Sequence, residues 1–183
     1  MMVRWASWWF KRHQWSFMGT LPKRKVNIVL VVGPHTCYKD FILILACQKL
    51  TTMEFEFFID PSSFKWYVRP ILSALRAKKM TTENSAQFMT HCLNKFKNGK
   101  KVCFGFSTNT LNEKRFDSNP FFYDAAYMGK ASVVLIAIDH HRKFIKFHNP
   151  FLLSGNKVRD LQYIRGYFEN YFSYERKHNS LNR

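Results

Sequence analysis

The sequence predicts a single α/β domain with a largely parallel, mixed sheet flanked by helices. Strand-like and helix-like segments alternate along most of the 183 residues, a pattern typical of parallel sheets. After Ser132 the run at 132–138 is entirely apolar, as expected for a strand that is buried on both faces. The chain is 46% hydrophobic and 17% aromatic, so it can bury one core and is not of disordered composition.

The predicted elements follow an N-terminal segment, residues 1–19, that differs from the rest of the chain. Strands are predicted at 26–32, 53–59, 101–106, 132–138 and 144–147, and helices at 40–50, 64–76, 82–96, 121–128 and 158–172. A linking turn at 19–25 contains Pro22, and a polar loop is predicted at 107–119. We therefore divide the chain into the N-terminal segment, an α/β domain at 20–173 and a basic tail at 174–183.

Local signals delimit the individual helices. Residues 60–63, Asp-Pro-Ser-Ser, predict a turn and an N-terminal cap for the helix at 64–76. The helix at 82–96 is predicted from a four-residue repeat of apolar side chains, Phe88, Cys92 and Phe96. Asn98-Gly99 then ends that helix.

The N-terminal segment combines aromatic and basic residues without any acid. Its aromatic residues are Trp5, Trp8, Trp9, Phe10, Trp15 and Phe17, and its basic residues include Arg4, Lys11, Arg12 and His13. In a helix, the indoles of Trp5, Trp8 and Trp9 would share one side. Two interpretations stay open: an amphipathic helix at a membrane interface, or indoles that cover the core of the domain.

The formal charge of +17 and the pI of about 10.0 predict an anionic partner. Nucleic acid, an anionic membrane surface and phosphorylated small molecules all fit this charge. We do not expect a nucleic-acid partner, because the sequence contains no recognised binding motif. We also expect no membrane-spanning helix, since no apolar run reaches about 18 residues.

The four cysteines predict neither a metal site nor a disulfide framework. Cys37, Cys47, Cys92 and Cys103 include no Cys-x2-Cys pair. We expect reduced thiols in an intracellular environment, and no metal. His140 and His141 follow a predicted strand, and adjacent residues of an extended chain point to opposite faces. We therefore interpret this pair as a solvated turn rather than as ligands of one metal.

His35 and Asp40 stand where a predicted strand passes into a predicted helix. Ligands of α/β proteins bind beyond the carboxyl ends of strands. An imidazole titrates near neutral pH, and a carboxylate can orient the ring and stabilise its charged form. The alternative is a surface histidine followed by an aspartate that caps the helix. Cys37 is a further candidate, as a nucleophile paired with His35.

Residues 33–41, GPHTCYKDF, resemble the first motif of the glycerophospholipid acyltransferase family, which includes the 1-acylglycerol-3-phosphate acyltransferases. That motif is a His, four variable residues and an Asp between a strand and a helix. The likeness spans roughly residues 15–150 and includes the later blocks at 121–126 and 133–139. The chain departs from the family at residues 107–111, STNTL, which stand where the family has Glu-Gly-Thr-Arg. Residues 76–82 also contain no equivalent of the second motif, and Ser132 stands where the fourth block begins with a Pro.

The resemblance implies a glycerol-phosphate acyltransferase-like fold and transfer of an acyl group from acyl-CoA or acyl-carrier protein. The acceptor would be a hydroxyl of a lysophospholipid or related lipid. His35 would act as general base and Asp40 would orient it, without a cofactor. The altered block raises an alternative, a catalytically inactive membrane- or lipid-binding protein on the same fold.

The acceptor-binding residues are predicted from chemistry within that framework. Arg69 and Arg76 are candidates for binding a phosphate. Thr108, Asn109 and Thr110 could offer neutral hydrogen bonds to a hydroxylated or zwitterionic acceptor. The implied location is the cytoplasmic face of a membrane, where residues 1–19 would hold the protein as a peripheral enzyme.

Overall fold

The computed structural model describes residues 8–19, 27–35, 38–50, 55–59, 66–79, 85–98, 101–107 and 121–181. Its strands are β1 (Ser16–Met18), β2 (Ile28–His35), β3 (Phe55–Ile59), β4 (Lys78–Lys79), β5 (Lys101–Ser107), β6 (Ser132–Asp139) and β7 (Phe144–Phe147). Its labelled helices are α1 (Tyr38–Leu50), α2 (Arg69–Ala74), α3 (Ser85–Lys97), α4 (Phe121–Met128) and α5 (Lys157–Leu181). Residues 8–12 are also helical, and a 3-10 helix, Trp66–Val68, precedes α2.

The strands form one seven-stranded mixed sheet in the order β1-β7-β6-β2-β5-β3-β4. The five strands from β6 to β4 in this order are mutually parallel, whereas β7 is antiparallel to β6 and β1 is parallel to β7. The predicted α/β class and largely parallel sheet are therefore confirmed. β6 and β7 can be antiparallel neighbours because a short turn at 140–143 joins them.

Helices cover both faces of the sheet. We call the side packed against α1, α2 and the helix at 8–12 the α1 face, and the side packed against α3, α4 and α5 the α5 face. β2 supplies both sides alternately: Leu30 and Val32 lie in the core of the α1 face, and Val29 and Val31 in that of the α5 face. This explains why the central strands are apolar without alternation.

The N-terminal segment contributes an edge strand as well as a helix. β1 was not predicted, and its residues pair with β7 at the end of the sheet. Phe10 in the preceding helix is 4% exposed and belongs to the core of the α1 face. Gly19 follows with a φ of +87°, and an added Cβ would lie 2.3 Å from the carbonyl oxygen of Phe147. Part of this segment therefore covers the core, while Trp8 remains 59% exposed.

Two further boundaries differ from the prediction. β4 has only two residues, both lysine, so no apolar pattern marks it in the sequence. α5 continues to Leu181 and therefore includes most of the predicted basic tail. Of the helices that the structure describes, none combines the length and the apolar character needed to cross a membrane.

Candidate functional site

The topology favours the carboxyl ends of β2 and β5 as the location of a ligand site. These strands are neighbours, but the chain leaves β2 toward α1 and, after β5, next enters a described helix at α4, on the opposite face. Ligand crevices of open α/β sheets form where adjacent strands connect to opposite faces. The backbones of His35 and Ser107 pair at this point. We call this place, where two neighbouring strands connect to opposite faces of the sheet, the switch point. The predicted site therefore lies at the switch point of the sheet.

An irregularity in β2 marks the same point. Val32 pairs with Gly105 and His35 pairs with Ser107. An advance of three residues along β2 therefore corresponds to an advance of two residues along β5. The extra residue forms a bulge at Gly33-Pro34. Proline has no N–H to donate to a neighbouring strand, and bulges redirect the chain next to functional sites. The GPH sequence of the motif thus ends regular pairing at His35.

Asp40 lies in the first turn of α1 and is fully buried, with 0% of its surface exposed. Its Oδ1 accepts a hydrogen bond from Nε2 of His140. When Asp40 is ionised its carboxylate only accepts hydrogen bonds, and in that state Nε2 of His140 carries the proton. A carboxylate removed from water needs such a partner, because its desolvation costs several kcal/mol.

His140 reaches Asp40 from the turn that follows β6. Asp139 shapes this turn: it is 6% exposed, and its Oδ1 accepts a hydrogen bond of 2.8 Å from the backbone N–H of Arg142. Trp15 packs edge-on against the His140 ring, with the ring centroids 5.4 Å apart. The side chain of His140 is 29% exposed. The pair therefore combines a buried carboxylate with an imidazole that solvent can reach.

The interpretation of His140 as part of a solvated turn is wrong in one respect. His140 does lie in a turn, but its ring binds Asp40, whereas the neighbouring His141 is exposed. The prediction that the two rings diverge is consistent with this. Strand order decides the contact, because β6 lies beside β2 and their carboxyl ends meet at one edge. No local pattern in the sequence predicts that β6 lies beside β2.

The other predicted site residues are placed as follows. The backbone of His35 ends β2, but its side chain lies outside the described part of the structure, as do Thr108, Asn109, Thr110 and Cys37. Arg69 begins α2 and is exposed. Arg76 follows that helix with a φ of 53°, in the left-handed conformation that terminates helices. The two arginines therefore lie at opposite ends of α2.

A second carboxylate–histidine cluster lies on the α5 face. Glu56 on β3 contacts Nζ of Lys95 and Nε2 of His91, both at 2.5 Å, and Nζ of Lys78 at 3.1 Å. Burial raises the pKa of Glu56, but hydrogen bonds from Lys95, His91 and Lys78 outweigh it and lower the pKa to about 2. This carboxylate is a fixed anion surrounded by cations.

The described cysteine side chains behave as small hydrophobes. Cys47 is buried in the core of the α1 face, and Cys92 in the core of the α5 face. Burial, reinforced by the charge of Glu56, raises the pKa of Cys92 to about 12. Within the described residues, no group of three or more His, Cys, Asp and Glu side chains could hold a metal ion.

Comparison with known proteins adds no relative. The chain matches no protein-family model, no curated protein and no solved structure. Function must therefore follow from the switch-point geometry and from the chemistry of the residues that meet there.

Proposed function

We propose that the protein is an acyltransferase that moves an acyl group from acyl-CoA or acyl-carrier protein to a hydroxyl of a lysophospholipid or related lipid. One observation carries the proposal. The switch point of the sheet lies at the backbone of His35, and the first turn of the next helix holds the fully buried Asp40. The proposal is supported by this location, because open α/β sheets generally bind ligands at such points.

His35 supplies the general base in this proposal. Its imidazole removes the proton of the acceptor hydroxyl as the oxygen attacks the thioester carbonyl. A tetrahedral oxyanion forms, and the N-terminal N–H groups of α1 are suited to stabilise it. When the intermediate collapses, the carbon–sulfur bond breaks and the imidazolium returns the proton to the thiolate. The products are an ester and a free thiol, without a covalent enzyme intermediate.

Asp40 and His140 orient the base. Asp40 is the residue that would accept a hydrogen bond from His35 and stabilise its imidazolium. His140 is a positioning residue, because its Nε2–H fixes Oδ1 of Asp40. Trp15 in turn limits the movement of the His140 ring. A carboxylate held in this way loses little freedom when the reaction begins.

The acceptor and the membrane follow from the same proposal. Thr108, Asn109 and Thr110 directly follow Ser107, whose backbone pairs with His35, so this loop begins at the switch point. We assign them to the polar part of the acceptor, and name Arg69 and Arg76, at opposite ends of α2, as alternative partners of its phosphate. In the N-terminal segment, Trp8, Phe17 and Met18 are exposed apolar residues, and Lys11 and Arg12 are exposed cations. This composition suits a peripheral protein at the cytoplasmic membrane surface.

The test is an acyl-transfer assay with the full chain, acyl-CoA and vesicles containing a panel of lysophospholipids. We expect the wild type to release free thiol and form the acylated lipid. His35→Ala should slow transfer by about 10²–10⁴-fold, the contribution of a general base. His141→Ala is the matched control and should match the wild type. A fully active, folded His35→Ala protein would remove the base from the mechanism.

A non-catalytic lipid-binding protein is the second candidate. It is favoured by residues 107–111, which contain none of the charged residues of the family's acceptor block. Binding to vesicles without turnover, across all donors and acceptors, would support this candidate. Turnover of a single acceptor would eliminate it.

A further inference from the structure

The two faces of the sheet carry different charges. The described helices of the α1 face and the residues that end them contain six cations, Lys11, Arg12, Lys39, Lys49, Arg69 and Arg76. Within these same segments, residues 8–12, 38–50 and 66–76, the acid is Asp40, which is buried. The solvent side of the α1 face is therefore uniformly positive wherever the structure describes it.

The α5 face, by contrast, mixes both signs. Its helices contain Asp124, Asp160 and Glu169 beside their cations. Lys157 forms an ion pair of 3.1 Å with Asp124, and Asp160 accepts hydrogen bonds from Tyr123 and Ser154. The α5 face therefore attracts an anionic surface less, because some of its cations are paired and its carboxylates repel anions.

The α1 face also exposes aromatic side chains at both ends of the sheet. Trp8 is 59% exposed and belongs to the helix beside the β1 edge. Trp66 is 80% exposed and Tyr67 47% exposed, and both precede α2 beside the β4 edge. Their rings contact each other edge-on, with centroids 5.9 Å apart. Seven strands separate these two positions by about 30 Å.

We propose that the α1 face lies flat on an anionic lipid bilayer, with Trp66, Tyr67 and Arg69 as a second anchor opposite the N-terminal segment. Tryptophan and tyrosine favour the boundary between headgroups and acyl chains. Arginine beside them is attracted by the negative surface potential of anionic lipids. Two anchors at opposite edges of the sheet set its orientation, which one N-terminal helix alone could not. This inference concerns binding and does not depend on acyl transfer.

The partner is a bilayer because its chemistry matches both features of the surface. A nucleic acid could bind the cations of this face, but it has no apolar layer into which the exposed indoles could insert. A neutral apolar partner would leave six cations facing it without counter-charges. Anionic lipid supplies an apolar layer for the rings and phosphate or carboxylate charges for the cations.

The experiment is co-sedimentation of the full chain with phosphatidylcholine vesicles, with and without phosphatidylserine. We expect binding only to the anionic vesicles and a loss of binding as salt increases. Trp66→Ala should weaken partitioning about ten-fold, because a large apolar side chain no longer enters the boundary. Arg69→Glu changes the charge by two units and should weaken partitioning by more than about five-fold, the effect of a single unit.

Matched variants on the α5 face provide the controls. Tyr127→Ala removes an aromatic residue that is 55% exposed on α4. Arg159→Glu changes the net charge by the same amount as Arg69→Glu, on an exposed residue of α5. Both controls should bind as the wild type does, and circular dichroism should show that all variants are folded.

Three results would overturn the inference. Controls that lose as much affinity as Trp66→Ala and Arg69→Glu would show that the face does not matter. Equal binding to neutral vesicles would eliminate the electrostatic part. If Trp8→Ala abolishes binding while Trp66→Ala has no effect, the N-terminal segment acts alone and the second anchor does not exist.

Discussion

Among the residues that the structure describes, two carboxylate–histidine clusters differ in burial and in their place in the sheet. Asp40 is completely buried and is bound by His140. The side chain of Glu56 is 19% exposed, and it contacts His91 and two lysines. Hydrogen bonds from Lys95, His91 and Lys78 together keep Glu56 ionised by lowering its pKa to about 2. The Nε2 of His140 contacts Oδ1 of Asp40 inside the protein, where water does not reach the carboxylate.

The positions of the clusters in the sheet differ as well. Glu56 is the second residue of β3, whose register opposes it to Val102, away from the carboxyl ends of the strands. Asp40 is in the first turn of the helix that follows β2, at the switch point. The same residue types therefore form a structural ion cluster in one place and a candidate reaction site in the other. Location decides between these roles.

The largest expected effect separates the clusters by activity. Asp40→Asn should reduce acyl transfer by about 10³-fold, because an amide cannot stabilise an imidazolium as a carboxylate does. Glu56→Gln should leave the rate unchanged. The measurement is kcat for both variants in the vesicle assay. Equal losses in the two variants would show that neither carboxylate is specific to the reaction.

The next effect concerns stability. His140→Ala leaves the buried Asp40 without one of its hydrogen-bond donors and should cost about 2 kcal/mol in the free energy of unfolding. His91→Ala leaves Glu56 paired with Lys78 and Lys95 and should cost less than about 1 kcal/mol. Urea denaturation at neutral pH compares the two. A larger loss for His91→Ala would reverse the ranking of the clusters.

Acid should reveal the contribution of Glu56. Its pKa is about 2 in the folded protein and near 4.5 ordinarily, so the unfolded chain binds the proton more readily. The contribution of ionised Glu56 to the free energy of unfolding is therefore complete above about pH 4.5 and disappears as the pH falls toward 2. Partial exposure limits it to under about 1 kcal/mol. Wild type and Glu56→Gln should differ in urea midpoint at pH 7 and converge near pH 2; a constant difference would contradict this.

The smallest effect is a chemical one. Cys92 is 2% exposed, and burial together with the Glu56 charge raises its pKa to about 12. A thiol held in its neutral form reacts slowly. Peptide mapping after alkylation should find Cys92 unmodified in the native protein and fully modified in urea. Rapid labelling of the native thiol would mean that the α5 face opens readily beside the Glu56 cluster.

The sequence predicts the local parts of the fold well. The apolar runs that become β2 and β6 are visible because burial on both faces excludes polar side chains. The four-residue repeat of Phe88, Cys92 and Phe96 predicts α3, and two of its members are buried in the α5-face core. These elements are encoded by neighbours within a few residues of one another.

The edge strands are not predictable in the same way. β1, Ser16–Met18, and β4, Lys78–Lys79, are short and exposed, so burial imposes no pattern on them. They become strands because β7 and β3 offer unpaired backbone groups at the ends of the sheet. Tertiary context therefore overrides local preference at both edges.

The candidate site likewise has a part that the sequence predicts and a part that only the tertiary structure shows. The motif at His35 and Asp40, and its position between a strand and a helix, were determined by the sequence alone. The partner of Asp40 was not, because His140 is one hundred residues away along the chain and approaches only when β6 pairs with β2. Periodicity and propensity act over a few residues, whereas the pairing of distant strands depends on how the whole core excludes water. That pairing decided which histidine Asp40 binds.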